Sequence, residues 1–472
     1  MKRHAEAKLK KWLESPYRKP LIIRGARQVG KSTLVRNFAK DNHLNLIEVN
    51  LEKHLELDYI FKTLDIPNII REIEGLTGRN VLTSNTLLFL DEIQATPRAL
   101  QALRYFYEEI PQCPVIAAGS LLEFVLSKHK FSMPVGRIEY LHLGPMTFEE
   151  FLLEKDKKLL DYIDNFDLAT PIPQTGHKRL LEKQREYLFI GGMPEAVLRY
   201  IQTNQLSEAI SVHQSIIETY KDDFSKYVRQ NQLIRLHRVF NYVPFQVGKK
   251  VKYSNISRDD KARELHAAVD LLSKAGLITP VCHSGCSGIP LHAQADLSKF
   301  KLLFLDIGLM NRVCGLDWLA ISSMDERKLV NEGSIAEQFI GQHLLYRNDG
   351  QEAPKLHYWL RERKTSNAEV DYVISRGNVI LPVEVKAGKS GSLKSVLQFV
   401  FDKKAQLAIR FDLNLPSIQK VCHKIQQNQS AENVTVTLIS LPLYMVGQLN
   451  RLIDRIRKSG VGVQPSGCRG FT

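Results

Sequence analysis

A mixed α/β fold built around a parallel sheet is what the sequence predicts. Three observations carry this. Short apolar runs alternate with helix-patterned segments between residues 20 and 150, a glycine-rich loop separates the first such run from the first such helix, and a second, mixed α/β pattern runs from about Glu332 to Val446. The strand candidates of the first part are Leu21 to Ile23, Leu46 to Asn50, Leu87 to Leu90, Val115 to Ala118 and Glu139 to Leu143, with a helix after the loop to about Lys40. Alternation of this kind places helices on both faces of a parallel sheet.

Thr147 to about Tyr227 is mostly helical in pattern, with a loop around Pro171 and Pro173. Ile234 to Phe304 reads as a small helical unit ending in a hairpin. The chain after Asn450 is basic and then rich in Gly, Pro and Ser. The expected division is a sheet core at 1–146, a helical lid at 147–230, a winged-helix-like segment at 231–330, a mixed α/β domain at 331–450 and a flexible basic tail at 451–472.

The chain has 472 residues, enough for roughly two to four domains. Lys and Arg number 65 against 51 Asp and Glu, a formal net charge of +14. That balance suits a polyanionic partner, of which nucleic acid is the commonest, or else a surface that only keeps the protein soluble. The six cysteines are scattered, with no CxxC pair, so neither a disulfide framework nor a zinc site is expected. Met1 to Ser15 reads as an amphipathic helix and lacks the apolar core of a signal peptide. No stretch reaches the ~20 apolar residues a membrane span needs, so no membrane partner is expected and the cytoplasm is the expected location.

Gly25-Ala26-Arg27-Gln28-Val29-Gly30-Lys31-Ser32 fits the P-loop pattern, set between a strand and a helix as that loop requires. Its backbone amides and the helix N-terminus favour phosphate, Lys31 is placed for the β- and γ-phosphates, and Ser32 for Mg²⁺. Thr86 to Leu90 is an apolar run ending in Asp91-Glu92. Asp91 is expected in the Mg²⁺ shell and Glu92 at the attacking water; the plainer role for each acid is helix capping. Ser120, after the run Val115 to Ala118, stands where a γ-phosphate sensor would, and equally fits a capping box with Glu123. Arg137, after Gly136, is a candidate phosphate ligand in its own or a neighbouring subunit, and otherwise a surface arginine. Gly191-Gly192-Met193-Pro194-Glu195 either packs near the nucleotide or is a plain helix–helix turn.

Tyr253 to Ile278 runs short helix, turn, longer helix and strand, the winged-helix order. Lys249, Lys250, Lys252, Arg258, Lys261 and Arg263 surround it, tempered by Asp259, Asp260 and Glu264. DNA docking and a protein-contact module both fit. Further on, a two-residue turn at Gly377-Asn378 pairs Arg376 with Val379, and counting outward sets Asp371 opposite Glu384. The strand period places Glu384 and Lys386 on one face. Two carboxylates and a lysine are what metal-assisted phosphodiester cleavage uses, the acids for Mg²⁺ and the lysine for water or charge. An exposed salt-bridged cluster is the plainer alternative. Pro382 hints at an edge strand or bulge. Glu337, on a helix from Ile335 to Leu345, is a further acid or part of a capping box with Ser334.

Taken together, Gly25 to Thr33, Leu88 to Gln94, Gly136-Arg137, Gly191 to Glu195, Asp222 to Tyr227, Asp306 to Leu309 and Glu369 to Lys386 make the chain, from Pro20 to Phe401, resemble the bacterial and archaeal AAA-type ATPases that carry a C-terminal domain of unknown function. The resemblance implies a P-loop NTPase sheet with a helical lid, ATP held at Gly25, Gly30, Lys31, Ser32 and Thr33, and Mg²⁺ and water at Asp91 and Glu92. The C-terminal part is similar to the PD-(D/E)xK nuclease fold, a restriction-endonuclease-like domain, with Asp371, Glu384 and Lys386 at the motif positions and Glu337 as the helical acid. AAA-type proteins often form rings, which adds a homo-oligomer to the expectations. Two readings follow: an ATPase that gates a DNA-associated nuclease-like domain, or an ATP-driven switch whose C-terminal domain is a non-catalytic binding platform.

Overall fold

The computed structural model describes residues 1–120, 136–167, 170–316, 318, 333–347, 350, 352–362, 367–388, 392–427 and 430–459. The first sheet contains β1 (Leu21–Arg24), β2 (Asn45–Asn50), β3 (Thr86–Asp91), β4 (Val115–Ala118) and β5 (Glu139–His142), in the order β2-β3-β4-β1-β5. Every pairing is parallel. Each of the five expected strands is present. β3 and β4 are buried along their whole length because helices cover both faces, which is why they read as unbroken apolar runs. One face of this sheet packs a self-contained core with Ile22, Leu88, Leu90, Ile69 and Phe106.

The other face does not close on itself. Its core is continuous with the helices of 148–227 and with the C-terminal part of the chain, running from Leu9 to Ile453. At its centre Phe148, Tyr187 and Phe339 meet edge-on, with ring centroids 5.7 to 6.2 Å apart. His343 joins the same aromatic set. Its Nε2 accepts from the Phe148 amide at 2.8 Å and its Nδ1 donates to the Phe339 carbonyl. Burial holds this imidazole neutral, bringing its pKa down to about 4.

The second sheet has eight strands: β6 (Ile278–Ser284), β7 (Ala295–Phe304), β8 (Leu356–Arg361), β9 (Ala368–Arg376), β10 (Val379–Val385), β11 (Leu407–Asp412), β12 (Ser417–Gln427) and β13 (Ser430–Pro442). Their order is β12-β13-β11-β10-β9-β8-β6-β7. The sheet therefore extends across the expected boundary at 330/331. Helices Gln230–Tyr242, Tyr253–Ile256 and Ala262–Lys274 precede the β6–β7 hairpin, as the winged-helix order requires. The hairpin is not a free wing, however, because β6 also pairs in parallel with β8 and continues the C-terminal sheet. Sequence-distant strand pairing is invisible to local pattern.

Pro382 lies in an interior strand rather than at an edge. Pairing of β10 with β11 begins only at Val383, so the missing proline N–H breaks no ladder there. The expected flexible tail is also shorter than 451–472. Leu449–Ser459 is a helix with Leu452 and Ile453 fully buried, and 460–472 lie outside the described residues. Leu452→Ala should cost about 2–5 kcal/mol, the usual range for emptying a packed site. A lower midpoint in urea unfolding checks this, and an unchanged midpoint would mean the helix is not part of the core.

Candidate nucleotide site and the C-terminal acid cluster

The loop Gly25 to Gly30 joins β1 to helix Lys31–Asp41. It sits at the carboxyl ends of the strands, between β4 and β5, where an open α/β sheet forms its binding crevice. Gly25 passes so near its neighbour that a Cβ there would lie 2.2 Å from the Leu143 carbonyl oxygen. Lys31 is buried and donates to the carbonyls of Gly25 and Ala26 at 3.0 and 2.8 Å. Burial lowers its pKa to about 8, against the opposing pull of Glu92 and Asp91. Ser32 Oγ donates to Asp91 Oδ2 at 2.7 Å, so the two groups expected around Mg²⁺ already face each other. Burial raises the Asp91 pKa, an aversion to bare charge that a bound cation would relieve. These residues therefore fit a magnesium ion held by Ser32 and Asp91. Thr33 is exposed at the mouth of the helix.

Glu92 adopts a left-handed backbone, φ 51°, and its Oε2 accepts from Gln94 Nε2 at 2.5 Å. Such backbone strain in a non-glycine residue costs about 1–3 kcal/mol and gathers at active sites. Gln94 in turn packs on Gly119, next to the buried Ser120. Asp91, Glu92 and Ser120 are thus brought to one end of the sheet. Leu121 to Glu123, needed for the capping-box alternative, lie outside the described residues, as do Pro134 and Val135. Arg137 is placed elsewhere: it pairs with Glu108 at 2.9 Å on the exposed side of helix Pro97–Glu109.

Three contacts tie the loop to distant parts of the chain, and only the approach of the Gly191 to Glu195 element was among the expectations. Arg27 pairs with Asp223 and its carbonyl accepts from Tyr220 Oη at 2.6 Å, tying the loop to helix Leu206–Tyr227. Arg3, from the N-terminal segment, donates to the carbonyls of Val29 and Gly144 and pairs with Glu150. Pro194 packs on Gly30, where an added Cβ would lie 3.3 Å from the proline Cγ. The stretch Asp222 to Tyr227 was a visible signal for the first, though without a role; nothing in the sequence marks Arg3.

The Gly191-Gly192 turn continues inward from Pro194. Gly191, at φ 71°, comes so near Asp306 that a Cβ would lie 2.1 Å from its Oδ1. The Gly192 amide donates to Asp306 Oδ2 at 2.7 Å. This fully buried carboxylate also accepts from the amides of Gly308 and Leu309 and from Gln342 Nε2 at 3.2 Å. Gln342 and Gln338 lie on helix Gly333–Leu345, which also carries Glu337.

In the C-terminal sheet the hairpin register is the one the turn predicts: Val379 pairs with Arg376 and Val383 with Tyr372, bringing Asp371 beside Glu384. Asp371 Oδ2 accepts from the Val385 amide at 2.8 Å, and Lys386 pairs with Glu384. Burial raises the pKa of Glu337, Asp371 and Glu384, helped by repulsion from Asp371 at Glu337 and Glu384 and from Glu369 at Asp371. Yet among the described residues no group of three or more His, Cys, Asp or Glu is arranged to hold a metal ion. Lysines stand among the expected metal ligands Glu337, Asp371 and Glu384. Lys386 is one. The other, Lys301 on β7, was missed; it lies 2.6 Å from Glu369 and 3.6 Å from Glu337.

Fold and loop together define an AAA-type P-loop ATPase domain. Residues 17–152 match the AAA domain family, 181–320 a domain of unknown function (DUF8612), and 332–444 another domain of unknown function (DUF4143). The AAA match supports ATP binding and hydrolysis, typically with Mg²⁺. No curated protein matches the chain. Among solved structures, the Aeropyrum pernix ORC1 protein in complex with DNA is similar at 13% identity and a TM-score of 0.28, over 67% of this chain and 93% of that one. The Thermotoga maritima RuvB Holliday junction branch migration motor gives 14% identity and 0.27, over 58% and 88%. C. elegans PCH-2 gives 12% and 0.25, over 43% and 59%. No helix among the described residues is long and apolar enough to cross a membrane.

Lys31→Ala should abolish ATP hydrolysis. Glu92→Gln should retain ATP binding while slowing turnover by about 10²-fold or more, within the range of general-base loss; phosphate-release and nucleotide-binding assays distinguish the two. In the acid cluster, burial raises the pKa of the Glu384 carboxyl above its unfolded value, against the pull of Lys386. Folding stability should therefore fall as pH rises from the carboxylate range towards neutral. Thermal melts of Glu384→Gln should show a flatter pH slope than wild type.

Proposed function

We propose that this protein is an ATP-driven switch in which the state of the P-loop is passed to the C-terminal domain, and that this domain serves as a non-catalytic binding platform. The observation that carries the reading is the unbroken contact path from Gly30 through Pro194, Gly192 and Asp306 to Gln342 on the helix of Glu337. A γ-phosphate binds through the loop amides and Lys31, with Mg²⁺ at Ser32 and Asp91 and water oriented by Glu92. Lys31 must then leave the carbonyls of Gly25 and Ala26, and the loop presses differently on Pro194. Coupling through a packed, hydrogen-bonded path requires two discrete arrangements of its elements. The Gly191-Gly192 turn, locked to Asp306 by close approach, is the element proposed to have them. DNA is the proposed partner, on the strength of the net charge and of the exposed Lys249, Lys252, Arg258, Lys261 and Arg263.

The competing reading is Mg²⁺-dependent DNA cleavage by Asp371, Glu384 and Lys386, favoured by the hairpin register. It requires cleavage that Asp371→Ala and Lys386→Ala each abolish; cleavage absent from wild type as well leaves the platform.

The switch is tested by hydrogen exchange. Amides of helix Gly333–Leu345 should exchange several-fold more slowly with a non-hydrolysable ATP analogue than without. In Gln342→Ala that difference should vanish while ATP hydrolysis persists. Equal protection in both proteins would sink the path. DNA that leaves the hydrolysis rate unchanged would remove DNA as the partner.

A further inference from the structure

The acid cluster of the C-terminal sheet carries its own cation. Lys301 projects from β7, outside the Asp371 to Lys386 hairpin, and its side chain is only 3% exposed. Its Nζ lies 2.6 Å from Glu369 Oε1 and 3.6 Å from Glu337 Oε2. The Tyr358 ring stands 5.2 Å away on another side. Burying an ammonium costs several kcal/mol unless opposite charge surrounds it. Here Glu369 and Glu337 supply that opposite charge.

The carboxylates are engaged in part, with Glu384 Oε2 and Glu337 Oε2 buried without a hydrogen-bond partner among the described residues. Glu384 is taken by Lys386, and Asp371 Oδ2 by the Val385 amide. Glu337 is pressed under Gly248, where a Cβ would lie 2.7 to 2.8 Å from its carboxyl atoms. A magnesium ion needs oxygens in near-octahedral geometry at about 2.0–2.1 Å. An ammonium 2.6 Å from one of these acids and 3.6 Å from another cannot share that space with a divalent charge.

We infer that Lys301 is the resident cation of this centre, filling the position among Glu337, Glu369 and Asp371 that a divalent ion would need. The centre is then a metal-free polar clasp. It ties helix Gly333–Leu345, through Glu337, to β9, through Glu369 and Asp371, with β7 supplying the charge between them. The inference stands apart from the ATP-driven path, because its test contains no nucleotide.

The test is Mn²⁺ titration of the full chain without nucleotide, with free Mn²⁺ read by electron paramagnetic resonance. In wild type, Asp371→Asn should leave the Mn²⁺ isotherm unchanged. Lys301→Met keeps the bulk and removes the charge, and should create one site at least tenfold tighter than any in wild type. Adding Asp371→Asn to Lys301→Met should abolish that site. Two results overturn the inference: Mn²⁺ binding by wild type that Asp371→Asn weakens, or no site gained in a folded Lys301 variant. If thermal melting shows Lys301→Met unfolded, Lys301→Gln replaces it, and the comparison of wild type with Asp371→Asn decides by itself.

Discussion

A single buried carboxylate holds the arrangement together. Asp306 has no exposed surface, and leaving such a group without partners would cost several kcal/mol. It is met by the amides of Gly192, Gly308 and Leu309 and by Gln342. These donors come from three separate parts of the chain: the turn that reaches the P-loop, the helix after β7, and the helix carrying Glu337. None of them can move far without stripping a hydrogen bond from a charge that has no access to water. That is why the lid, the hairpin and the C-terminal sheet form one continuous core instead of the separate domains their sequence patterns suggest.

Around that anchor the two chemical centres differ in kind. The nucleotide site suits a cation and an anion: Ser32 faces Asp91, burial raises the pKa of the Asp91 carboxyl, and Lys31 donates to loop carbonyls. The acid cluster already holds two cations of the protein's own, Lys301 and Lys386. A shared set of residue types, acids with a lysine, therefore carries opposite meanings in the two places. What separates them is whether the positive charge is supplied by the protein or left to a ligand.

Much of this was legible beforehand. The five strands of the first sheet, the loop between β1 and its helix, and the pairing of Asp371 with Glu384 all follow from local pattern. Apolar runs are buried strands, and a Gly-Asn turn sets its own register. Other features were not legible. Arg3 and Asp223 reach the P-loop across sequence distances that carry no periodic signal. Arg137, a candidate phosphate ligand in its own or a neighbouring subunit or else a surface arginine, pairs with Glu108 within the chain. Lys301 sits in a strand assigned to another unit, so nothing in the Asp371 to Lys386 stretch announces it.

By itself the sequence determined the elements that depend on near neighbours: strand and helix identity, the phosphate-binding loop, the hairpin register and the net charge. These rest on backbone sterics, side-chain period and turn chemistry, all local quantities. Only the tertiary structure decided which strands joined the second sheet, that one core spans the lid and the C-terminal part, and that an ammonium stands among the acids expected to hold a metal. Those outcomes depend on which buried charges and apolar faces meet across hundreds of residues, and the free energy of such meetings is written in no single segment.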